Sequence, residues 1–221
     1  WPYYVNQNKI IKAKEEVESA EAEGKVTVIF SGGDYPAKVP FEDVILFESA
    51  GYRSTPNLCY HSAQPSYIPD YLEHFCNGHL NLRQKSKEPV IGFCGLASTS
   101  PLQSLYRKFK LKWEQYQYQN GRLNWEPPPF ETSTFRTKVL HQFKSKPGVQ
   151  TNFLLRRRYR AGVTEDKSLH HPAKVEFVQN ILNSDYTVCM RGGGNFSVRV
   201  YETLCLGRIP IFIDTDCLLP F

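Results

Sequence analysis

Three consecutive glycines, Gly192-Gly193-Gly194, constrain this chain more than any other feature: Arg191 precedes them, and they lie between a short apolar run and an amphipathic one. Residues 186–190 (YTVCM) have the length and apolar content of a buried strand. The glycines make a loop that can adopt positive φ and let backbone approach a ligand. Asn195 is of a type favoured at helix N-caps, and residues 196–206 carry helical spacing. Gly207 then stands where a left-handed residue closes a helix, and residues 209–213 (IPIFI) read as a second strand. Strand, loop, helix and strand form a βαβ unit, which implies a parallel sheet. The loop of such a unit lies at the carboxyl end of the strand and the amino end of the helix. There, unpaired N–H groups and the helix dipole favour an anion, most often phosphate.

At about 100° per residue, Phe196, Val198, Val200, Tyr201, Leu204 and Cys205 cover a broad apolar arc, while Arg199, Glu202 and Thr203 share a narrow polar face. Ser197 falls in the first turn, where it can face the loop. Two readings compete. In one, the polar face meets solvent and Arg199 and Glu202 form a weak i,i+3 surface pair. In the other, Glu202 offers the bidentate acceptor that a ribose diol needs, and Arg191 and Arg199 suit a diphosphate. The glycines and Arg191 favour the nucleotide.

At 221 residues the chain is long for one small domain and short for two full ones. Its 14% aromatic content is enough for a sizeable core, and no apolar run approaches the ~20 residues of a membrane helix. No secretory leader is visible. The chain opens on Trp1-Pro2, holds one methionine (Met190) and stops soon after a buried-looking strand, so both ends read as cut and an anchor elsewhere stays open. Six cysteines show neither CxxC nor zinc spacing; Cys94, Cys189 and Cys205 sit among apolar neighbours as small hydrophobes, which favours reduced thiols and the cytoplasm. His61, His74, His79, His141, His170 and His171 lack metal-ligand spacing, and no metal is expected. Neither a Walker ending nor a GxSxG elbow is present. A net charge of +5 suits an anionic ligand without requiring nucleic acid or a membrane.

In chain order, residues 7–23 read as a helix closed by Gly24, its acidic tail solvated. Residues 25–30 (KVTVIF) form a strand running into Ser31-Gly32-Gly33-Asp34, with Asp34 at the tip. Residues 44–48 (VILFE) form another. Residues 54–86 look irregular apart from a helical turn over 71–75, and a polar linker over 85–89 divides an N-terminal unit, 1–86, from a second, 87–221. The second unit should hold a strand over 90–93, a helix over 101–119 capped by Ser100-Pro101 and a weaker helix over 134–143. A strand over 151–155 and a helix over 173–182 complete it. Arg156-Arg157-Arg158-Tyr159-Arg160 leaves three readings open: a small acidic ligand, nucleic acid (a thin footprint at this mild charge) and a solvated edge.

The ordered series MRGGGNFSVRVYETLCLGRIPIFIDTDCLLPF resembles the C-terminal signature of exostosin-like glycosyltransferases, and PVIGFCGLA and FLLRR match the same pattern. The N-terminal segments KVTVIFSGGDYP and VILFESAGYRS are similar to it less specifically. The resemblance implies an α/β chain of GT-B type. A partial N-terminal Rossmann-like, acceptor-side domain would face a C-terminal Rossmann-like domain that binds the nucleotide sugar. It further implies an inverting transfer from a nucleoside-diphosphate donor, usually UDP-linked, to a glycan acceptor, without a catalytic metal or other cofactor. Carried over by position, Glu202 would hold the ribose and Arg191, Gly193, Asn195, Ser197 and Arg199 would line the diphosphate, with Gly95 and Arg157 joining the donor site. The base that deprotonates the acceptor should come from the facing unit: Asp34 first, then Glu48 and His61. The alternative is an inactive nucleotide- or glycan-binding module of the same fold. The expected partners are nucleotide sugar and glycan, not nucleic acid. The expected place is the cytoplasm or the cytosolic face of a membrane, with peripheral attachment through segments outside this chain left open, or the Golgi lumen for a eukaryotic source.

Overall fold

The computed structural model describes residues 7–36, 39, 41, 43–54, 60–84, 86–97, 100–123, 125–157, 168 and 171–220. Of the arginine cluster, Arg158, Tyr159 and Arg160 lie outside the described residues, as do Cys59 and His170.

The chain is α/β with two parallel sheets. Helix α1 (Gln7–Ala22) ends at Gly24, whose φ of 67° closes it, and leads into the first sheet. That sheet has the order β1-β2-β3, built from β1 (Thr27–Ser31), β2 (Val44–Glu48) and β3 (Tyr60–Ala63). β2 is central, so Val44, Leu46 and Glu48 are buried, whereas edge strand β1 leaves Val28 and Phe30 largely exposed. Strand β3 lies inside the stretch expected to be irregular. YHSA has no apolar alternation of its own, and its strand geometry comes from pairing with β2 in register Ile45↔Tyr60 to Glu48↔Ala63.

Helix α2 (Tyr71–Cys76) precedes the expected linker yet packs on the second sheet: Tyr71 is buried with Cys94, Phe177, Val178, Ile181 and Leu206. The second sheet contains β4 (Val90–Leu96), β5 (Gln150–Arg156), β6 (Tyr186–Cys189) and β7 (Ile209–Phe212). Its order is β5-β4-β6-β7, with every pair parallel. Helices α3 (Pro101–Gln119) and α4 (Thr132–Lys144) fill the crossover from β4 to β5, and α4 covers one face through Leu140, Phe135, Val139 and Phe143. Helices α5 (Pro172–Leu182) and α6 (Val198–Cys205) cover the other face. Because β5 lies on one side of β4 and β6 on the other, the strand order reverses beside β4. That reversal sets a switch point at the carboxyl ends of β4 and β6, the place where doubly wound sheets receive ligands.

One clip and one seam tie these parts together. Asp185, just before β6, accepts from Val90 N (2.7 Å) at the start of β4 and from Arg83 Nε (2.7 Å). Burial alone would raise the Asp185 carboxyl, but the Val90 N–H and the Arg83 guanidinium outweigh it and hold the group below the ordinary carboxylate range. Between the sheets, residues 51–54 run antiparallel to residues 214–218. Tyr52 bridges Cys217, Leu218 N donates to Gly51 O (3.1 Å), and Arg53 N donates to Asp216 O (3.0 Å). Arg53 also pairs with Asp214 at 2.9 Å. Asp216 sits at φ 64°, a left-handed position for a non-glycine residue, held there by the convergence of Arg53, Ser54 and Asn195 on it. Among the described residues no helix is long and apolar enough to cross a membrane.

Candidate functional site

Residues 191–197 leave β6 and enter α6. The helix starts two residues later than expected: Ser197, not Asn195, is its N-cap, and it makes no side-chain cap bond. Asn195 is committed elsewhere. Its amide donates to Gly51 O (3.1 Å) and Asp216 O (3.0 Å), while its Oδ1 accepts from Arg191 (3.0 Å) and Thr215 (2.9 Å). Arg191 is likewise turned inward and only 2% exposed. Its Nη1 donates to Tyr52 Oη (3.1 Å) as well as to Asn195, and its Nη2 to Gly193 O (3.3 Å). Arg191 and Asn195, two of the five residues expected to line the diphosphate, therefore hold the loop against the first sheet's segment 51–54.

None of Gly192, Gly193 and Gly194 has positive φ, and Gly194 alone is required for the space its missing Cβ leaves. A Cβ on Gly194 would stand 2.7 Å from the Asp34 carbonyl oxygen and 2.5 Å from the Phe196 ring, so only glycine lets the 32–35 turn lie on this loop. Gly193 is exposed, with nothing within 4 Å of its Cβ position. Asp34 itself is exposed on that turn, which is anchored by Tyr35 packing at a tilt against Trp125 of the α3–α4 connection (4.4 Å between centroids). Burial, with Asp34 and Glu114 nearby, raises the Tyr35 phenol, so it stays neutral. The structure thus brings Asp34 and the glycine loop together across the two sheets.

Helix α6 turns its polar stripe inward, which overturns the solvent reading. Thr203 is fully buried, whereas Leu204, from the apolar arc, is 57% exposed. Arg199 reaches under the sheet and donates through Nη2 to Cys94 O (2.7 Å), with its guanidinium 4.5 Å over the Phe93 ring. Gly95 leaves room for it: a Cβ there would meet that same Nη2 at 3.0 Å. β4 and β6 pair only at Ile91↔Tyr186 and Gly92↔Thr187, so Cys94 O lies beyond their ladder and is free to take the arginine. Glu202, one turn on, accepts from Tyr71 Oη (3.0 Å) and Lys174 Nζ (3.3 Å). The Lys174 ammonium also lies over the Tyr71 and Phe177 rings. Arg191 Nε and Arg199 Nε are buried without hydrogen-bond partners among the described residues.

The remaining expected residues lie farther out. Arg157 is exposed past the end of β5, and Arg156 is paired with Glu176 (2.8 Å) and Ala173 O (2.7 Å). His61 Nε2 and Glu48 Oε1 are 2.6 Å apart and almost fully buried, so they are occupied with each other. Sequence reasoning missed Arg136, which ties the ends of β4 and β6 together by donating to Leu96 O (3.0 Å) and Arg191 O (2.6 Å). It also missed Lys174 and Tyr71. None of the three sits in a motif, and each reaches the site by tertiary packing alone. Cys189, at the end of β6, is buried, which pushes its thiol up to about 11 and keeps it an inert hydrophobe; the five described cysteines are free. Among the described residues no group of three or more His, Cys, Asp or Glu side chains is placed to hold a metal ion.

Comparison with family models, with curated proteins and with solved structures finds no match to this chain.

Proposed function

We propose that this chain is an exostosin-like glycosyltransferase of GT-B type that moves a sugar from a UDP-linked donor to a glycan hydroxyl, with inversion and without a catalytic metal. One observation carries the reading: on the helix that follows the open Gly193 turn, Arg199 reaches Cys94 O near the carboxyl end of β4, and Glu202, one turn on, is turned from solvent and held by Tyr71 and Lys174. A partly buried carboxylate held by Lys174 and Tyr71 is pre-oriented for a vicinal diol, which can replace the tyrosine hydroxyl as donor. A buried guanidinium with an unspent Nε–H supplies charge toward a diphosphate. Arg191 and Asn195 act one step back, fixing the loop whose backbone amides meet the phosphates.

In the transfer, the acceptor oxygen attacks the anomeric carbon and the bond from that carbon to the diphosphate oxygen breaks. The electron pair leaves with the diphosphate, and the hydroxyl proton passes to a base. Arg199 and the amino end of α6 stabilise the leaving charge. Asp34 is the proposed base, because its turn lies on the glycine loop from the opposite sheet and its carboxylate is accessible.

Calorimetric titration with UDP tests the site. Glu202→Ala should weaken UDP binding by about 100-fold, as expected for loss of a charged bidentate acceptor; unchanged affinity removes the ribose role. UDP release from a panel of UDP-sugars with glycan acceptors separates an enzyme from a binding module of the same fold. Asp34→Asn should abolish release while leaving UDP affinity intact.

A further inference from the structure

Helix α3 is amphipathic in the reverse sense for a globular protein. Its inward side is chiefly polar: Ser104 bonds Thr134 (2.8 Å), Arg107 donates to Ser133 (2.9 Å) and Gln115 to Pro128 O (2.9 Å), with Leu111 its one buried apolar residue. Its outward side carries Leu102, Leu105, Tyr106, Phe109, Trp113 and Tyr116, each at least half exposed, with Leu102 at 80%, Phe109 at 67% and Trp113 at 61%. At about 100° per residue these six fall within about 100° of arc and run about 21 Å along the helix. A stripe that long and apolar on a water-facing helix marks an interaction surface.

Charge identifies what covers it. Lys108 and Lys112 border the stripe on one side and Lys110 on the other, all exposed, and Glu114 is the helix's single carboxylate. Lysines along both margins can extend their ammonium groups toward a surface while their stems cover its apolar edge. Aromatic and leucine side chains between rows of lysine suit the boundary between lipid headgroups and acyl chains. We propose that α3 lies flat on an anionic membrane surface, with Phe109 and Trp113 inserted and Lys108, Lys110 and Lys112 at the headgroup level. This surface is distinct from the glycine loop, and the proposal does not depend on the transferase reading.

Co-sedimentation of the protein with vesicles tests it. Binding is expected to phosphatidylcholine vesicles containing about one third phosphatidylglycerol, but not to pure phosphatidylcholine, and to weaken with salt. Phe109→Ser with Trp113→Ser should reduce partitioning by about 100-fold. Lys108→Gln with Lys112→Gln should reduce it about fivefold per lysine. All four positions are exposed, so circular dichroism and the unfolding midpoint should not move. No binding to anionic vesicles, equal binding to neutral ones, or wild-type binding by the Phe109/Trp113 variant would overturn the proposal. So would a concentration-dependent dimer abolished by that variant, which would assign the stripe to a second copy, or its protection by a soluble glycan instead of by vesicles.

Discussion

Gly193 and Gly194 are adjacent and chemically identical, yet their surroundings demand different things. Gly194 is a packing glycine: its missing Cβ is the space in which the Asp34 carbonyl and the Phe196 ring rest. Alanine there must move backbone, so Gly194→Ala should destabilise the protein by about 2 kcal/mol in urea unfolding and displace the 32–35 turn. Gly193 faces open space, so Gly193→Ala should leave stability within about 0.5 kcal/mol of wild type. If phosphates approach that bare backbone, the same change should weaken UDP binding without touching the unfolding curve. Equal stability losses in both variants would show that the loop is uniformly packed and carries no ligand.

At the scale of elements, β4 is held by contacts at both ends. Its carboxyl end is tied by Arg136 and Arg199, and its amino end by Asp185 through Val90 N and Arg83. Asp185 is depressed in the folded protein relative to an unfolded value of about 3.9. Its contribution is therefore fully present above that value and is lost as pH falls through the lower folded pKa. Asp185→Asn should cost about 1–2 kcal/mol at pH 7. The gap between variant and wild type should then close progressively below about pH 4. A gap that persists unchanged into strong acid would mean that shape rather than charge makes the clip.

At the scale of the molecule, the two sheets meet through a polar seam, and Asn195 is its central tie. It is buried and donates to carbonyls from both sides, Gly51 and Asp216. Asn195→Ala takes the second hydrogen bond from each of those carbonyls and releases the Arg191 fork and the Thr215 hydroxyl, so a loss of about 2 kcal/mol is expected. Because Arg191 and the glycine loop lean on the same residue, UDP affinity should fall as well. A loss below about 1 kcal/mol would mean that the Arg53 pairs with Asp214 and Asp216 hold the seam unaided.

Much of this was readable one segment at a time. The apolar runs of β2, β4 and β6, the Ser100-Pro101 start of α3 and the Gly207 stop of α6 are local signals, and each element formed where its own residues prescribe. The parallel sheet followed from the βαβ order for the same reason. What only tertiary structure decided was direction and company. The wheel showed that α6 has a polar stripe, but not that the stripe faces inward, because periodicity fixes which residues share a face and is silent on where that face turns. Likewise, Asn195 has the local chemistry of a cap, yet the Gly51 and Asp216 carbonyls across the seam, each with a second lone pair beyond its backbone hydrogen bond, claimed its amide instead. Arg136 reaches Arg191 O, and Lys174 and Tyr71 reach Glu202, from three separate elements, and only the packing of those elements on one sheet brings them there.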